Sequence, residues 1–80
     1  MSRSIHTAEH LALRELLIEA RKSAGLAQHE VATRMGRPQS FVAKYEGGER
    51  RIDVVEFIAI AGALGLDPKQ LFGRLLKKVR

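Results

Sequence analysis

Apolar residues recur every three or four positions along this 80-residue chain, a spacing that predicts amphipathic helices. No run alternates strictly between apolar and polar residues, as a half-buried strand would. Glycine and proline interrupt the pattern at short intervals, which predicts tight connections. We therefore predict an all-α fold, a compact five-helix bundle, in a single domain over residues 1–80 whose ends, 1–6 and 77–80, fray.

Capping residues and helix breakers predict the helix boundaries. Thr7 suits the N-cap of the first helix, and Gly25 suits the left-handed geometry that often ends a helix. Pro38 is predicted at the first position of the third helix, where its missing N–H is not needed. Asp53 and Glu56 have the spacing of a capping box. The predicted helices cover about residues 7–24, 28–35, 38–46, 53–65 and 68–76.

The apolar stripe of each predicted helix indicates which side faces the core. A chain of this length buries only about 60–65% of its unfolded surface, so the stripes must share one modest core. The predicted core residues are Leu13, Leu16, Leu17, Ala20 and Ala24, then Val31, Ala32 and Met35, then Val42 and Tyr45, then Val54, Phe57, Ala61 and Leu64, and finally Leu71, Phe72, Leu75 and Val79.

The second and third helices are joined by about three residues that include a glycine. Two short helices with so tight a turn cross steeply, which predicts a helix-turn-helix over residues 28–47. One side of the third helix carries Val42, Tyr45 and Glu46, whereas the other side is small, polar and basic. That other side carries Gln39, Ser40, Ala43, Lys44 and Gly47. These residue types suit the base edges of a DNA major groove, and the alternative is an ordinary solvated surface.

The charge balance favours a polyanionic partner such as nucleic acid. Fourteen Lys and Arg against nine Asp and Glu give a formal net charge of +5, although an ordinary basic surface would give the same value. The absence of cysteine excludes disulfides and thiolate zinc sites and suits a cytoplasmic protein. No apolar run reaches the length of a membrane span, and the N-terminus lacks the pattern of a signal peptide.

Few residues suggest other chemistry. His6 and His10 are spaced so that one helical face could present both to a metal, but no third ligand accompanies them, and we predict no metal site. The sequence contains no nucleophile motif and no glycine-rich phosphate loop. We therefore predict a protein that is not an enzyme and needs no cofactor.

The stretch AGLAQHEVATRMGRPQSFVAKYEGGERR, followed by a helix that ends in ALGLDP, resembles the Cro and phage-repressor-like (XRE-type) helix-turn-helix family. The resemblance covers roughly Leu13 to Leu71. It implies a five-helix bundle of the lambda-repressor-like DNA-binding type. It also implies a transcriptional regulator, expected to be a repressor, that binds a palindromic operator in double-stranded DNA as a homodimer through the major groove.

The resemblance also implies roles for individual residues. Gln39, Ser40 and Lys44 match base-reading positions, and Ala43 could pack on a thymine methyl. Arg21 and Glu46 match a structural pair between the first and third helices. The residues expected to contact DNA phosphates are Gln28, His29, Arg37, Arg50 and Arg51. Two positions depart from the family pattern, because Ala27 and Pro38 stand where Ser or Thr usually caps a helix.

The fourth helix carries a predicted dimer interface. Val55, Ile58, Ala59 and Gly62 form a second apolar stripe beside the predicted core side, and we expect it to pair with another copy, helped by the fifth helix. The alternative is a deeper core. A different function is also open at this point: the same fold could serve as a protein-interaction module, such as the antitoxin partner of a toxin.

Overall fold

The boundaries of the helices are set by caps close in sequence. The computed structural model describes residues 7–79, which form α1 Ala8–Ser23, α2 Gln28–Met35, α3 Gln39–Glu46, α4 Val54–Ala63 and α5 Pro68–Lys78. The Thr7 hydroxyl accepts a hydrogen bond from the His10 N–H, and Asp53 and Glu56 form the predicted reciprocal capping box. The prediction of an all-α five-helix fold is confirmed.

Several boundaries differ by one or two residues from the predicted ones, and α4 ends at Ala63 and not at Gly65. Pro38 is the N-cap of α3 and does not occupy its first position, because its ψ of 152° is extended and not helical. Helix α5 continues through Lys78, whose Nζ lies 3.5 Å from a carboxylate oxygen of Glu19 on α1. Of the two histidines considered for a metal, His6 lies outside the described residues and His10 is in the first turn of α1. Within residues 7–79 no cluster of His, Asp and Glu could hold a metal ion, and no helix is long and apolar enough to cross a membrane.

The start of α2 compensates in part for the missing cap. Ala27 has no side-chain oxygen to accept from the first turn. The Glu30 carboxylate nevertheless accepts a hydrogen bond from the Ala27 N–H at 2.7 Å, so one half of a capping box remains. Helix α2 therefore begins where the sequence predicts.

The core is formed by all five helices, but the predicted set needs correction. Phe41 and Ile60 are buried although neither was assigned to the core, whereas Val54 is 75% exposed. Nearly every position of α4 is apolar, so periodicity alone could not identify its buried side. Three further residues of the predicted core, Ala24, Phe72 and Val79, are exposed because they lie at a helix end or on the outer side of α5.

Glu46, a buried residue at the end of α3, joins three helices. Its two carboxylate oxygens accept hydrogen bonds from Arg21 Nε at 2.7 Å and Nη2 at 3.0 Å, and one of them also accepts from Gln28 Nε2 at 2.9 Å. Arg21 in addition donates to the Leu26 carbonyl, and Arg14 donates to the Glu46 carbonyl. The network fixes α3 against α1 and the start of α2.

Glu56, a second buried carboxylate, joins the start of α4 to the connections on either side of α3. It accepts two hydrogen bonds from Arg50, at 2.9 and 3.0 Å, and one from Arg37 at 3.2 Å. The Asp53 N–H donates to it at 2.9 Å. The hydrogen bonds from Arg50, followed by those from Asp53 and Arg37, lower the pKa of Glu56 to about 2.

Removing the Glu46 carboxylate should destabilise the fold. Glu46→Ala leaves the largely buried Arg21 guanidinium without its partner, and loss of one member of a buried pair costs about 3 kcal/mol or more. Urea unfolding measures the change. Glu49→Ala is the matched control, because Glu49 is exposed and its loss should change the free energy of unfolding by about 0.5 kcal/mol or less. Equal effects of the two substitutions would contradict the structural role of Glu46.

The stabilisation from Glu56 should depend on pH. Its pKa in the folded state, about 2, lies below the ordinary value of 4.5. Its contribution is therefore complete above the ordinary value and is lost as the pH falls toward the folded value. Urea unfolding should show that Glu56→Gln is less stable than the wild type near neutral pH and that this difference shrinks in acid. A Glu56→Gln difference that persists undiminished in acid would contradict the prediction.

Candidate nucleic-acid interface

Helix α3 has one buried and one exposed side. Phe41, Val42, Tyr45 and Glu46 are buried against the rest of the bundle. The four residues that the sequence analysis assigned to base reading are all exposed, namely Gln39, Ser40, Ala43 and Lys44. The side that faces water is therefore small, polar and basic, and it carries no large apolar group.

The turn between α2 and α3 presents this side outward. Gly36 adopts the left-handed conformation, with φ of 69°, and its N–H donates to the Thr33 carbonyl. The Arg37 N–H then donates to the Ala32 carbonyl at 2.9 Å. These bonds end α2 in the left-handed geometry that glycine favours. Pro38, in extended conformation, is the N-cap of α3, so the third helix begins directly after the turn. The helix-turn-helix predicted over residues 28–47 is thus formed by α2, a three-residue turn and α3.

Four side chains form what we call the Phe41 cluster: Arg37, Phe41, Arg50 and Glu56. The Arg37 guanidinium carbon lies 4.2 Å from the centre of the Phe41 ring, and that of Arg50 lies 4.8 Å from it. Both distances are within the range of cation–π contact. Glu56 binds both guanidinium groups from the side of α4. The Arg37 and Arg50 side chains remain 40% and 38% exposed, so the cluster is open to solvent beside the first turn of α3.

The residues expected at phosphates fall into two groups. His29 and Arg51 are exposed. The side chains of Gln28, Arg37 and Arg50 instead donate hydrogen bonds to Glu46 or Glu56. Sequence reasoning missed these bonds because it interpreted Glu56 only as a capping residue and assigned Phe41 to neither side of α3. The signal that the sequence offered for the Phe41 cluster is an aromatic residue, Phe41, that lies between Arg37 and Arg50 along the chain.

A second exposed surface is apolar and lies on α4 and α5. Val54, Val55 and Ile58 are 75%, 74% and 52% exposed, and Phe72 on α5 is 50% exposed. Ala59 and Gly62 complete the exposed positions of α4. Beside them runs a groove of about 470 Å³, lined mainly by apolar side chains of α1, α4 and α5. Surfaces of this kind usually contact another molecule.

Comparison with known proteins gives the family. The helix-turn-helix family matches residues 17–71, more than half of the chain. An XRE-family like protein from Pseudomonas syringae pv. tomato str. DC3000 is similar over 92% of this chain and 90% of its own, with 50% sequence identity and a TM-score of 0.85. The restriction-modification controller protein C.AhdI from Aeromonas hydrophila is similar over 78% of this chain and 94% of its own, with 32% identity and a TM-score of 0.71.

A more distant structure shares the fold alone. A mutant of the restriction-modification controller protein C.Esp1396I has a TM-score of 0.80 over 85% of this chain and 86% of its own, at 18% identity. No curated protein matches the chain. The family match covers both helices of the helix-turn-helix and most of the surrounding bundle. The chain belongs to the XRE/Cro-C1-type helix-turn-helix family, and it is a DNA-binding transcriptional regulator and not an enzyme.

Proposed function

We propose that this protein is a sequence-specific repressor that binds a palindromic operator as a homodimer, with α3 of each copy in the major groove. The observation that carries the proposal is the composition of the exposed side of α3. A helix of this size fits the major groove, where the donors and acceptors of each base pair are distinct. In the helix-turn-helix arrangement, the N-terminal residues of the second helix contact base edges.

The four exposed residues of α3 have complementary chemistry for bases. Gln39 can bond an adenine edge with both its amide donor and its carbonyl oxygen. Lys44 can donate to guanine, Ser40 can donate or accept, and the methyl group of Ala43 can pack on thymine. Gln39 and Ser40 are in the first turn of α3, which is the end expected nearest the bases.

Phosphate contacts would surround this helix. Arg51 is exposed in the segment after α3 and can bind the backbone without first breaking a bond within residues 7–79. The Gln28 side chain is bound to Glu46, so its contact would come from its backbone N–H together with that of His29. Both N–H groups are in the first turn of α2, where a helix leaves donors unpaired and favours an anion.

Repression by occupancy requires nothing beyond this DNA-binding fold. A protein bound across a promoter excludes other proteins from the same DNA. The similarity to C.AhdI, which is named a controller of a restriction-modification system, also supports a regulatory role.

A second copy is the proposed occupant of the apolar surface on α4. All five exposed positions of this helix are apolar or glycine, and its one charged residue, Glu56, is buried. Pairing of α4 with α4 about a two-fold axis would cover Val55, Ile58, Ala59 and Gly62 on both copies. A dimer would also present two recognition helices to the two halves of a palindrome.

An exposed apolar surface also suits a different protein partner, such as a toxin. This alternative and the homodimer differ in one measurable property, the oligomeric state of the isolated protein. A protein that is monomeric alone and associates only with another protein would favour the interaction module.

Substitutions on α3 and in the segment after it should affect DNA binding differently. Gln39→Ala or Lys44→Ala should cost about 1–3 kcal/mol on an operator selected from random duplexes, and much less on random DNA. Arg51→Ala should weaken binding to both, and should reduce the slope of log K against log salt by about 0.9 because one fewer phosphate is neutralised. Fluorescence anisotropy in a salt series measures these effects.

Gln70→Ala is the matched control, because Gln70 is an exposed glutamine on α5, outside the helix-turn-helix. It should leave both affinities unchanged. Equal losses on selected and random DNA for Lys44→Ala would remove Lys44 from the base-reading residues. Equal binding of the wild type to both duplexes at physiological salt would contradict sequence-specific regulation.

Charged residues on the exposed side of α4 should dissociate the dimer. A side chain at Gly62 meets no atom within 4 Å of its Cβ, so Gly62→Lys should leave a single copy folded. Ile58 is half-exposed, and Ile58→Lys should act in the same way. Light scattering at tens of micromolar should give a dimer for the wild type and a monomer for both variants. Thr33→Lys adds the same charge at an exposed position of α2 and should remain dimeric.

Two outcomes of the light-scattering experiment would contradict different parts of the proposal. A wild type that is strictly monomeric would rule out the homodimer. Variants that remain dimeric would place the interface on another surface and would leave the proposed DNA-binding side of α3 unaffected.

A further inference from the structure

The Phe41 cluster contains a carboxylate, Glu56, close to the predicted DNA-binding surface. A negative charge there repels the phosphates of DNA and by itself lowers the affinity. Glu56 lies beside the first turn of α3 and contacts Arg37 and Arg50, which flank that helix in sequence. A capping role for α4 needs only its contact with Asp53. The three hydrogen bonds to arginine side chains are therefore additional to the cap, and they hold two cations beside the recognition helix.

We propose that Glu56 is a positioning residue for DNA binding, which holds Arg37 and Arg50 against the Phe41 ring so that their remaining N–H groups face one phosphate region together. This inference rests on the proposed function and deepens it. Glu56 itself would not contact DNA. It would act through the two arginines.

In each guanidinium group, some N–H donors are bound to acceptors of the protein and others are not. Arg50 donates Nη1 and Nη2 to Glu56, and Nη1 also reaches the Arg51 carbonyl. Arg37 donates only Nη2. Within residues 7–79, Nε of both arginines and Nη1 of Arg37 have no protein acceptor. Because both side chains are more than one-third exposed, these donors can reach an external anion.

Both arginines are ordered by the fold before DNA arrives. A free arginine side chain has many rotamers and loses most of that freedom when it binds a phosphate. Here Glu56 fixes the guanidinium groups from one side, and the Phe41 ring lies within 4.2 and 4.8 Å of their central carbons. The loss of freedom has already occurred on folding, so binding a phosphate costs less entropy.

A positioning role for Glu56 and a purely electrostatic role make opposite predictions for how removal of its carboxylate changes the affinity for DNA. If Glu56 acted only as a negative charge near DNA, its removal would strengthen binding to any duplex. If Glu56 positions the arginines, its removal should weaken binding although the protein becomes more positive. The sign of the change therefore separates the two explanations.

Glu56→Gln is a suitable test, because glutamine retains an oxygen that can accept from the Asp53 N–H and so preserves the capping box. It loses the charge that holds two guanidinium groups. Glu49→Gln is the matched control, since it removes the same charge from an exposed residue next to Arg50 in sequence. Urea unfolding verifies that each variant is folded at the temperature of the binding assay.

The measurement is fluorescence anisotropy on a selected operator and on a random duplex over a salt series. Glu56→Gln should weaken binding to both about tenfold, as expected for loss of a well-placed charge-assisted hydrogen bond. The salt slope should fall by about 0.9 for each phosphate that the variant no longer neutralises. Glu49→Gln should bind as tightly as the wild type or slightly more tightly.

A double-variant comparison separates positioning from general stability. In the background Arg37→Gln with Arg50→Gln, Glu56→Gln should cause no further loss, because the side chains through which it acts are absent. A further loss of undiminished size in that background would overturn the proposal. So would wild-type or tighter binding by Glu56→Gln in the native background.

Phe41→Leu provides a second route if Glu56→Gln is not folded under assay conditions. It keeps every charge of the cluster and removes the aromatic ring beneath the guanidinium groups, so it should weaken both duplexes in the same direction. Unchanged binding by this variant would overturn the proposal. A wild type that does not distinguish operator from random DNA would reject sequence-specific regulation, while the comparison on random DNA would still test the role of Glu56.

Discussion

Burial of a carboxylate at the end of α3 constrains the rest of the helix-turn-helix. An unpaired carboxylate in a protein interior costs several kcal/mol, so Glu46 must meet its donors whenever the protein is folded. The donors are Arg21 on α1 and Gln28 at the start of α2, and Arg21 also binds the Leu26 carbonyl between those helices. The carboxylate is therefore paired only when α1, α2 and α3 are docked together. This requirement fixes the rotation of α3 about its axis and leaves Gln39 facing outward.

Glu56 applies the same constraint from the other side of α3. It is the only charged residue of α4, and its bonds to Arg37 and Arg50 fix that helix against both connecting segments of α3. Once the Glu56 side of α4 faces α3, Val55 and Ile58 face water. The contacts of the two buried carboxylates, Glu46 and Glu56, thus determine both which side of α3 and which side of α4 face the solvent. Hydrophobic packing alone has less directional preference, since apolar residues of suitable volume can replace one another.

The sequence predicted most of the helix boundaries because caps act over a few residues, as Thr7 does on the His10 N–H. It predicted the exposed side of α3 for a related reason, since the polar positions of that helix are local information. The buried side of α4 was not predictable from periodicity, because nearly all of its positions are apolar. The contact between Glu56 and Arg37 joins residues 19 positions apart and depends on how α4 docks, which no local pattern encodes.

Several of the basic side chains counted in the net charge of +5 are bound within the fold. Arg14, Arg21 and Arg34 donate their guanidinium groups to acceptors of other elements of the fold. Arg37 and Arg50 share one carboxylate, so together they contribute a single net positive charge. Lys44 and Arg51 make no side-chain bond within residues 7–79.

Electrostatic affinity for DNA increases with the number of phosphates neutralised, and a single small domain contacts only a few of them. Two copies on one duplex double that number without any additional basic residue. The same pairing would bury the apolar side of α4, which one copy leaves in water. The small number of phosphates within reach of one copy and the exposed apolar surface on α4 therefore support the same proposed assembly.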